Sequence, residues 1–221
     1  MLSFTSDDFY GLLDDGEGEA DGFLDLGIGR LPAYDTTTAG IMVRKIASYM
    51  SGQNQGSWRN TICLVADDED SNLHMFDAEG LAEAASASVP ALSVEKIYLD
   101  AFRQVTTVTG DSYPDASRAV DDRMAAGCLI MNYVGHGNES GLAHERVIRV
   151  ANINSWKNST MLPLFITATC EFSRFDDVDI NRSSGTISPK TSAGEMVLLN
   201  PAGGGIALMS TTRVVYSAPN Y

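Results

Sequence analysis

Two hydrophobic patterns take turns along the chain. Continuous apolar runs occur at Thr61-Ile62-Cys63-Leu64-Val65-Ala66, Cys128-Leu129-Ile130-Met131-Asn132-Tyr133-Val134 and Leu162-Pro163-Leu164-Phe165-Ile166-Thr167-Ala168-Thr169. Each reads as a strand buried on both faces. Shorter runs at 94–99 and 206–211 read the same way, and 23–32 alternates enough to be a strand closed by Pro32. Between them the period lengthens. Helices are predicted at 36–51 behind an Asp35/Thr36 cap, at 77–89, at 115–126 with Ala116, Ala119, Val120 and Met124 on one face, at 147–156, and from Ser192/Ala193 to Asn200. Strands that are apolar on both faces and alternate with helices predict an α/β fold around a mostly parallel sheet. Residues 1–22 are acidic and Gly-rich and read as loop, and 51–56 is the best boundary between segments. The chain stops soon after a strand, which points to a fragment.

Charge and composition narrow the function classes. Lys+Arg is 15 and Asp+Glu 29 in 221 residues, a net charge of −14 with no local basic patch, so phosphate backbones and anionic lipid would be repelled and no nucleic-acid partner is expected. The longest apolar runs, at 125–134 and 162–169, fall far short of the roughly 20 residues a membrane helix needs. Met1-Leu2-Ser3-Phe4 leads into acidic residues, without the basic start and apolar stretch of a secretory signal. Any such signal lies outside this chain. No Cys-x-x-Cys or His-x-x-x-His pairing supports zinc, and the glycines lack the spacing that holds a nucleotide. No cofactor is expected. The acidic stretch Asp14–Asp21 is the one place for a structural Ca²⁺, and its spacing misses the EF-hand pattern.

In an open α/β sheet, functional groups gather in the loops after the carboxyl ends of the strands. After 61–66 comes Asp67-Asp68-Glu69-Asp70, after 128–134 comes Gly135-His136-Gly137, and after 162–169 comes Cys170 followed by Glu171. A thiol needs a nearby base to become a thiolate, and imidazole can take that proton and later give one to a leaving amine. Cys170 and His136 are that pair. A carboxylate on the neighbouring loop would orient the imidazole, with Asp68 the first choice and Asp67 the second. The N–H groups of Gly137 and Cys170 are placed to face an oxyanion. Cys63 and Cys128 read as core thiols, His74 as a loop residue and His144 as the start of a helix.

Asn132-Tyr133-Val134-Gly135-His136-Gly137, followed by the strand ending in Cys170, resembles the gingipain-type C25 cysteine peptidases. Asp8-Phe9-Tyr10-Gly11, Leu26-Gly27-Ile28-Gly29-Arg30-Leu31-Pro32, Gly194-Glu195-Met196 and Ile206-Ala207-Leu208-Met209-Ser210-Thr211-Thr212-Arg213 resemble further segments of that family, so the likeness covers nearly the whole chain. Val65–Met75 and Thr169–Asp177 look most like the family's type IX secretion sortase branch. The resemblance implies a caspase-like three-layer sandwich, with 1–56 ending a preceding subdomain and 57–221 forming a truncated catalytic one. It also implies cleavage of C-terminal sorting domains from secreted proteins through a thioester at the bacterial cell surface. A lipopolysaccharide amine is implied as an acceptor and other secretion-system components as partners. His74 and Glu171 fall at substrate-binding positions. The position where gingipains carry the acid that recognises basic P1 side chains falls here near Asn72 to His74, which speaks against strict Arg or Lys specificity, with Asp70 or Asp77 as the acid to test otherwise. Rival readings are an ordinary gingipain-like endopeptidase and a non-catalytic binding module of the same fold.

Overall fold

A computed structural model describes residues 6–18, 22–108, 110–181 and 183–216. Met1–Phe4, which lacks a basic start and an apolar stretch, lies outside the described residues, as do Glu19 and Asp21 of the acidic stretch. Five strands form one wholly parallel sheet: β1 (Thr61–Ala66), β2 (Ser93–Tyr98), β3 (Ile130–Val134), β4 (Leu164–Ala168) and β5 (Ala207–Met209). Their order across the sheet is β5-β4-β3-β1-β2. All six residues of β1 are buried, as a central strand covered on both faces requires.

Helices cover both faces. Cys63, Val65, Met131, Tyr133 and Phe165 pack against α3 (Pro114–Ala126), α4 (Val150–Ser155) and α5 (Ala193–Leu199). On the other face, Ala82 of α2 (Leu73–Ser88) packs with Ile62 and Leu64, and Ala78 with Ala66 and Val134. The result is three layers, helix–sheet–helix, as the sequence pattern predicts. Helix α1 (Thr36–Met50) opens with a reciprocal Asp35/Thr38 capping box, in which Asp35 accepts from the Thr38 N–H. Its Lys45, only 9% exposed, donates to the carbonyl oxygens of Val197, Leu198, Asn200 and Gly203. Burial draws that ammonium down to about 8, while the four carbonyl oxygens and the end of the α5 dipole favour its charge. The contact ties α1 to the C-terminal end of α5.

The chain order creates the site. From β1 it crosses through α2 to β2 at the edge, then returns through α3 to β3 on the other side of β1. Strands β1 and β3 thus flank a topological switch point, where an open sheet parts its loops into a crevice.

Several expectations are corrected. Residues 23–32 are not a strand, because none of them pairs with a strand among the described residues, and Phe23 is 90% exposed. Helix α2 begins at Leu73 rather than 77, which moves His74 from loop to helix. Residues 147–156 divide into a two-residue strand at Ile148–Arg149 and then α4. His144 sits in a turn before them. The hairpins Val105–Thr107 with Gly110–Ser112 and Val178–Asn181 with Thr186–Pro189 escape the hydrophobic pattern because both are largely solvent-exposed.

Candidate active site

The loop after β1 is shaped by local conformation. Asp70, Ser71 and Asn72 all take left-handed φ values of 56°, 57° and 66°, so the chain doubles back before entering α2. Asp67 is fully buried beneath the turn. Its Oδ2 accepts from the His136 N–H at 2.9 Å and from Tyr133 Oη at 3.3 Å, while Oδ1 accepts from the Asp68 N–H at 3.1 Å. Burial pushes its carboxyl up, and the N–H donors of His136 and Asp68 pull the other way. The single Tyr133 hydroxyl hydrogen is shared between that carboxylate and the His136 carbonyl oxygen, the nearer acceptor at 2.7 Å. The histidine's main chain is therefore fixed from below by Asp67 and Tyr133.

Gly135 makes that approach available. It has φ +151°, and a Cβ there would lie 2.3 Å from Asp67 Cβ and 2.7 Å from Tyr133 Oη. Gly135→Ala is expected to lower the melting temperature by about 4–8 °C, the equivalent of about 2 kcal/mol for a chain of this size. Thermal denaturation checks it, and a melting point within about 1 °C of the parent would contradict the crowding.

The side chains converge from three loops. His136 Nε2 lies 3.0 Å from Asp70 Oδ2 and 3.4 Å from Glu69 Oε2. The His144 ring stacks on His136 with centroids 4.9 Å apart and an interplanar angle of 10°, and its Nδ1 lies 2.8 Å from Glu69 Oε2. That carboxylate raises the His144 pKa. His74, on the first turn of α2, meets the His136 ring edge-on at 5.2 Å, with Nε2 3.3 Å from Asp70 Oδ2. All three histidines of the chain meet here.

Cys170 follows β4, which pairs directly with β3, and it lines one open cleft of about 200 Å³ with His136. Asp70, His74 and Asp77 share that cleft, and Val215 and Tyr216 form part of its wall. Cys170 Sγ is turned to the main chain of Val215, 3.4 Å from its oxygen and 3.5 Å from its nitrogen. Glu171 takes a left-handed φ of 50°, so the chain turns sharply just after the thiol, and its carboxylate accepts from Arg174 at 3.2 Å. Gly137 lies against the residue before the thiol, since a Cβ on it would fall 2.5 Å from Thr169 Oγ1. Cys63 and Cys128 are fully buried in the core. Burial raises both thiols, Cys128 up to about 12 and Cys63 further.

Asp68 is placed elsewhere. Its Oδ2 accepts from Tyr113 Oη at 2.6 Å, and its other oxygen is buried without a hydrogen-bond partner. Asp67 reaches His136 only through the main chain, so the carboxylates brought to the imidazole are Asp70 and Glu69. The sequence singled out neither of them for this position nor His144 for the site. Asp70 precedes α2 and His74 stands in its first turn, and the left-handed loop between them brings Asp70 Oδ2 to 3.3 Å from His74 Nε2. Groups able to hold a metal ion among the described residues are Glu69/His136/His144, Asp70/His74/His136 and Asp67/Asp68/Glu145, the last with Asp67 buried.

The family model described as peptidase family C25 matches residues 2–221. The chain belongs to peptidase family C25. Its fold is that of gingipain structures. The crystal structure of the Arg-specific cysteine proteinase gingipain R (RGPB) superposes with a TM-score of 0.74 at 17% identity, covering 97% of this chain and 45% of that one. The complex of Porphyromonas gingivalis RgpB pro- and mature domains gives 0.72 at 16% identity, covering 98% and 47%. This C25 chain thus spans under half the length of the solved structures it matches. Comparison with curated protein sequences gives no match.

Proposed function

We propose that this C25 chain carries the nucleophile and base of a cysteine peptidase. The observation that supports this best is the placement of His136 and Cys170 at the ends of adjacent parallel strands in one cleft. With Nε2 held by Asp70, the imidazole presents Nδ1 as the nitrogen left for the thiol. Turning Cys170 from Val215 to that nitrogen completes the pair, as such contacts often tighten only when substrate binds. The Sγ proton passes to His136, and the thiolate attacks the substrate carbonyl. The oxyanion is met by the N–H groups of Gly137 and Cys170. His136 returns the proton to the leaving amine, and water or an acceptor amine then resolves the thioester. Asp70 takes the orienting role first assigned to Asp68. His74 and Glu171 flank the nucleophile as substrate-binding residues.

A peptidyl chloromethyl ketone at neutral pH, followed by peptide mass mapping, should modify Cys170 well before the buried Cys63 and Cys128. His136→Ala should slow that modification. Equal labelling of all three thiols in folded protein would refute the assignment.

The finer reading is a sorting transpeptidase at the cell surface. It would remove C-terminal sorting domains from secreted proteins alongside other secretion components and pass the acyl group to a lipopolysaccharide amine. Its support is the likeness of Val65–Met75 and Thr169–Asp177 to the sortase branch. Added amine acceptors should yield peptide–amine conjugates, whereas hydrolysis alone would favour an ordinary endopeptidase. The matched RgpB structures include one named Arg-specific.

A further inference from the structure

We propose that His74, His136 and Asp70 form a reversible Zn²⁺ site at the cleft, with Glu69 within reach as a fourth ligand, and that occupancy switches off the base. The inhibitory half rests on the catalytic reading of His136; the binding half does not. Four-coordinate Zn²⁺ with nitrogen and oxygen bonds of about 2.0–2.1 Å sets its ligand atoms about 3.3–3.4 Å apart. Asp70 Oδ2 lies 3.0 Å from His136 Nε2 and 3.3 Å from His74 Nε2, and Glu69 Oε2 lies 3.4 Å from the same His136 nitrogen. The donor atoms of Asp70, His74 and His136 all fall within 4.8 Å of one another. The cage is close to the required size without rebuilding the loop.

His74 supplies an independent observation. It is only 5% exposed, and neither ring nitrogen has a hydrogen-bond partner, because Asp70 lies near Nε2 but off the hydrogen-bonding direction. A buried imidazole in that condition is costly, and a cation between it and Asp70 would satisfy both. Imidazole donors select zinc-like ions over Mg²⁺ or Ca²⁺, which prefer all-oxygen shells. His144 lies behind Glu69 with Nδ1 at 2.8 Å and holds that carboxylate in place.

The consequence follows from proton placement. With Zn²⁺ on His136 Nε2, the neutral ring carries its proton on Nδ1 and has no lone pair left for the Cys170 thiol. The nucleophile is spared and the base is lost.

The test uses the full chain stripped of metal. Zn²⁺ titrated against a chromogenic chelator should bind one per chain, with Mg²⁺ and Ca²⁺ failing to compete. His74→Ala and Asp70→Asn should each weaken binding at least tenfold, and Cys170→Ala should leave it unchanged. Co²⁺ in the same site should give a tetrahedral visible spectrum without a thiolate charge-transfer band. Circular dichroism checks that each variant is folded, and His74→Gln serves if His74→Ala is not. No stoichiometric binding, unchanged affinity in a folded His74 variant, or a thiolate band would overturn the site. Binding that leaves the cleavage rate unchanged would overturn the inhibition alone. Zn²⁺ binding by a chain that shows no cleavage under any condition would sink the peptidase reading and leave the metal site standing.

Discussion

Cys170→Ala should lower kcat/KM for peptide cleavage by at least about 10³-fold, His136→Ala by a similar factor, and the double variant by no more than either alone. In the proposed mechanism the two side chains act on one proton and one bond, so removing either would remove the acyl-enzyme route. Non-additivity is the diagnostic result. If Cys170 were a structural thiol and His136 a loop residue, each change would act through stability and the two losses would add. Their positions after adjacent strands, separated by the pairing of Val134 with Ala168, argue for one unit. Steady-state kinetics on the three folded variants decides it. More than about a tenth of parental activity in Cys170→Ala would end the nucleophile assignment.

The sequence made the core legible wherever burial is two-sided. Strands β1, β3 and β4 are short apolar runs because no face of them meets water, and that pattern does not depend on knowing the neighbours. Placement of His136 and Cys170 at one edge followed from the same fact, since every strand of a parallel sheet ends on the same side. Residues 23–32 failed the same test in reverse. Leu24, Leu26 and Ile28 mimic a strand's period, yet among the described residues no strand pairs with them to complete a ladder. Period alone states which face is apolar, and pairing needs a partner.

The carboxylate that lies nearest the imidazole was hidden by backbone conformation. Counting from the end of β1, Asp68 is nearer than Asp70 and looks better placed. Three consecutive left-handed residues reverse the loop, send Asp70 back to the imidazole and leave Asp68 on Tyr113. None of Asp70, Ser71 and Asn72 is glycine, so no residue type announced the reversal, although Asp and Asn tolerate left-handed backbone better than most. The histidine cluster was hidden for a related reason. His74 comes from the first turn of α2, and His136 and His144 from two separate loops, so only the folding of β1 beside β3 brings their rings together.

The two carboxylates can be told apart by experiment. With chelator present to remove any bound zinc, Asp70→Asn should lower kcat/KM by about 10²-fold, mostly in kcat, whereas Asp68→Asn should change it by less than about threefold. As an acceptor, Asp70 holds the proton on His136 Nε2 and leaves the Nδ1 lone pair for the thiol. An asparagine can instead donate to Nε2, which moves the ring proton to Nδ1 and gives the wrong tautomer for a base. Asp70 is partly exposed and Glu69 stands 3.4 Å from the same nitrogen, so some orientation survives, and the loss should be smaller than for a fully buried triad carboxylate. At Asp68 the amide oxygen still accepts from Tyr113, so the main cost should be to stability, about 1 kcal/mol. Equal losses in the two variants would return the orienting role to Asp68. A large loss in Glu69→Gln with none in Asp70→Asn would assign it to Glu69, which stands 3.4 Å from His136 Nε2 and also holds the stacked His144 ring.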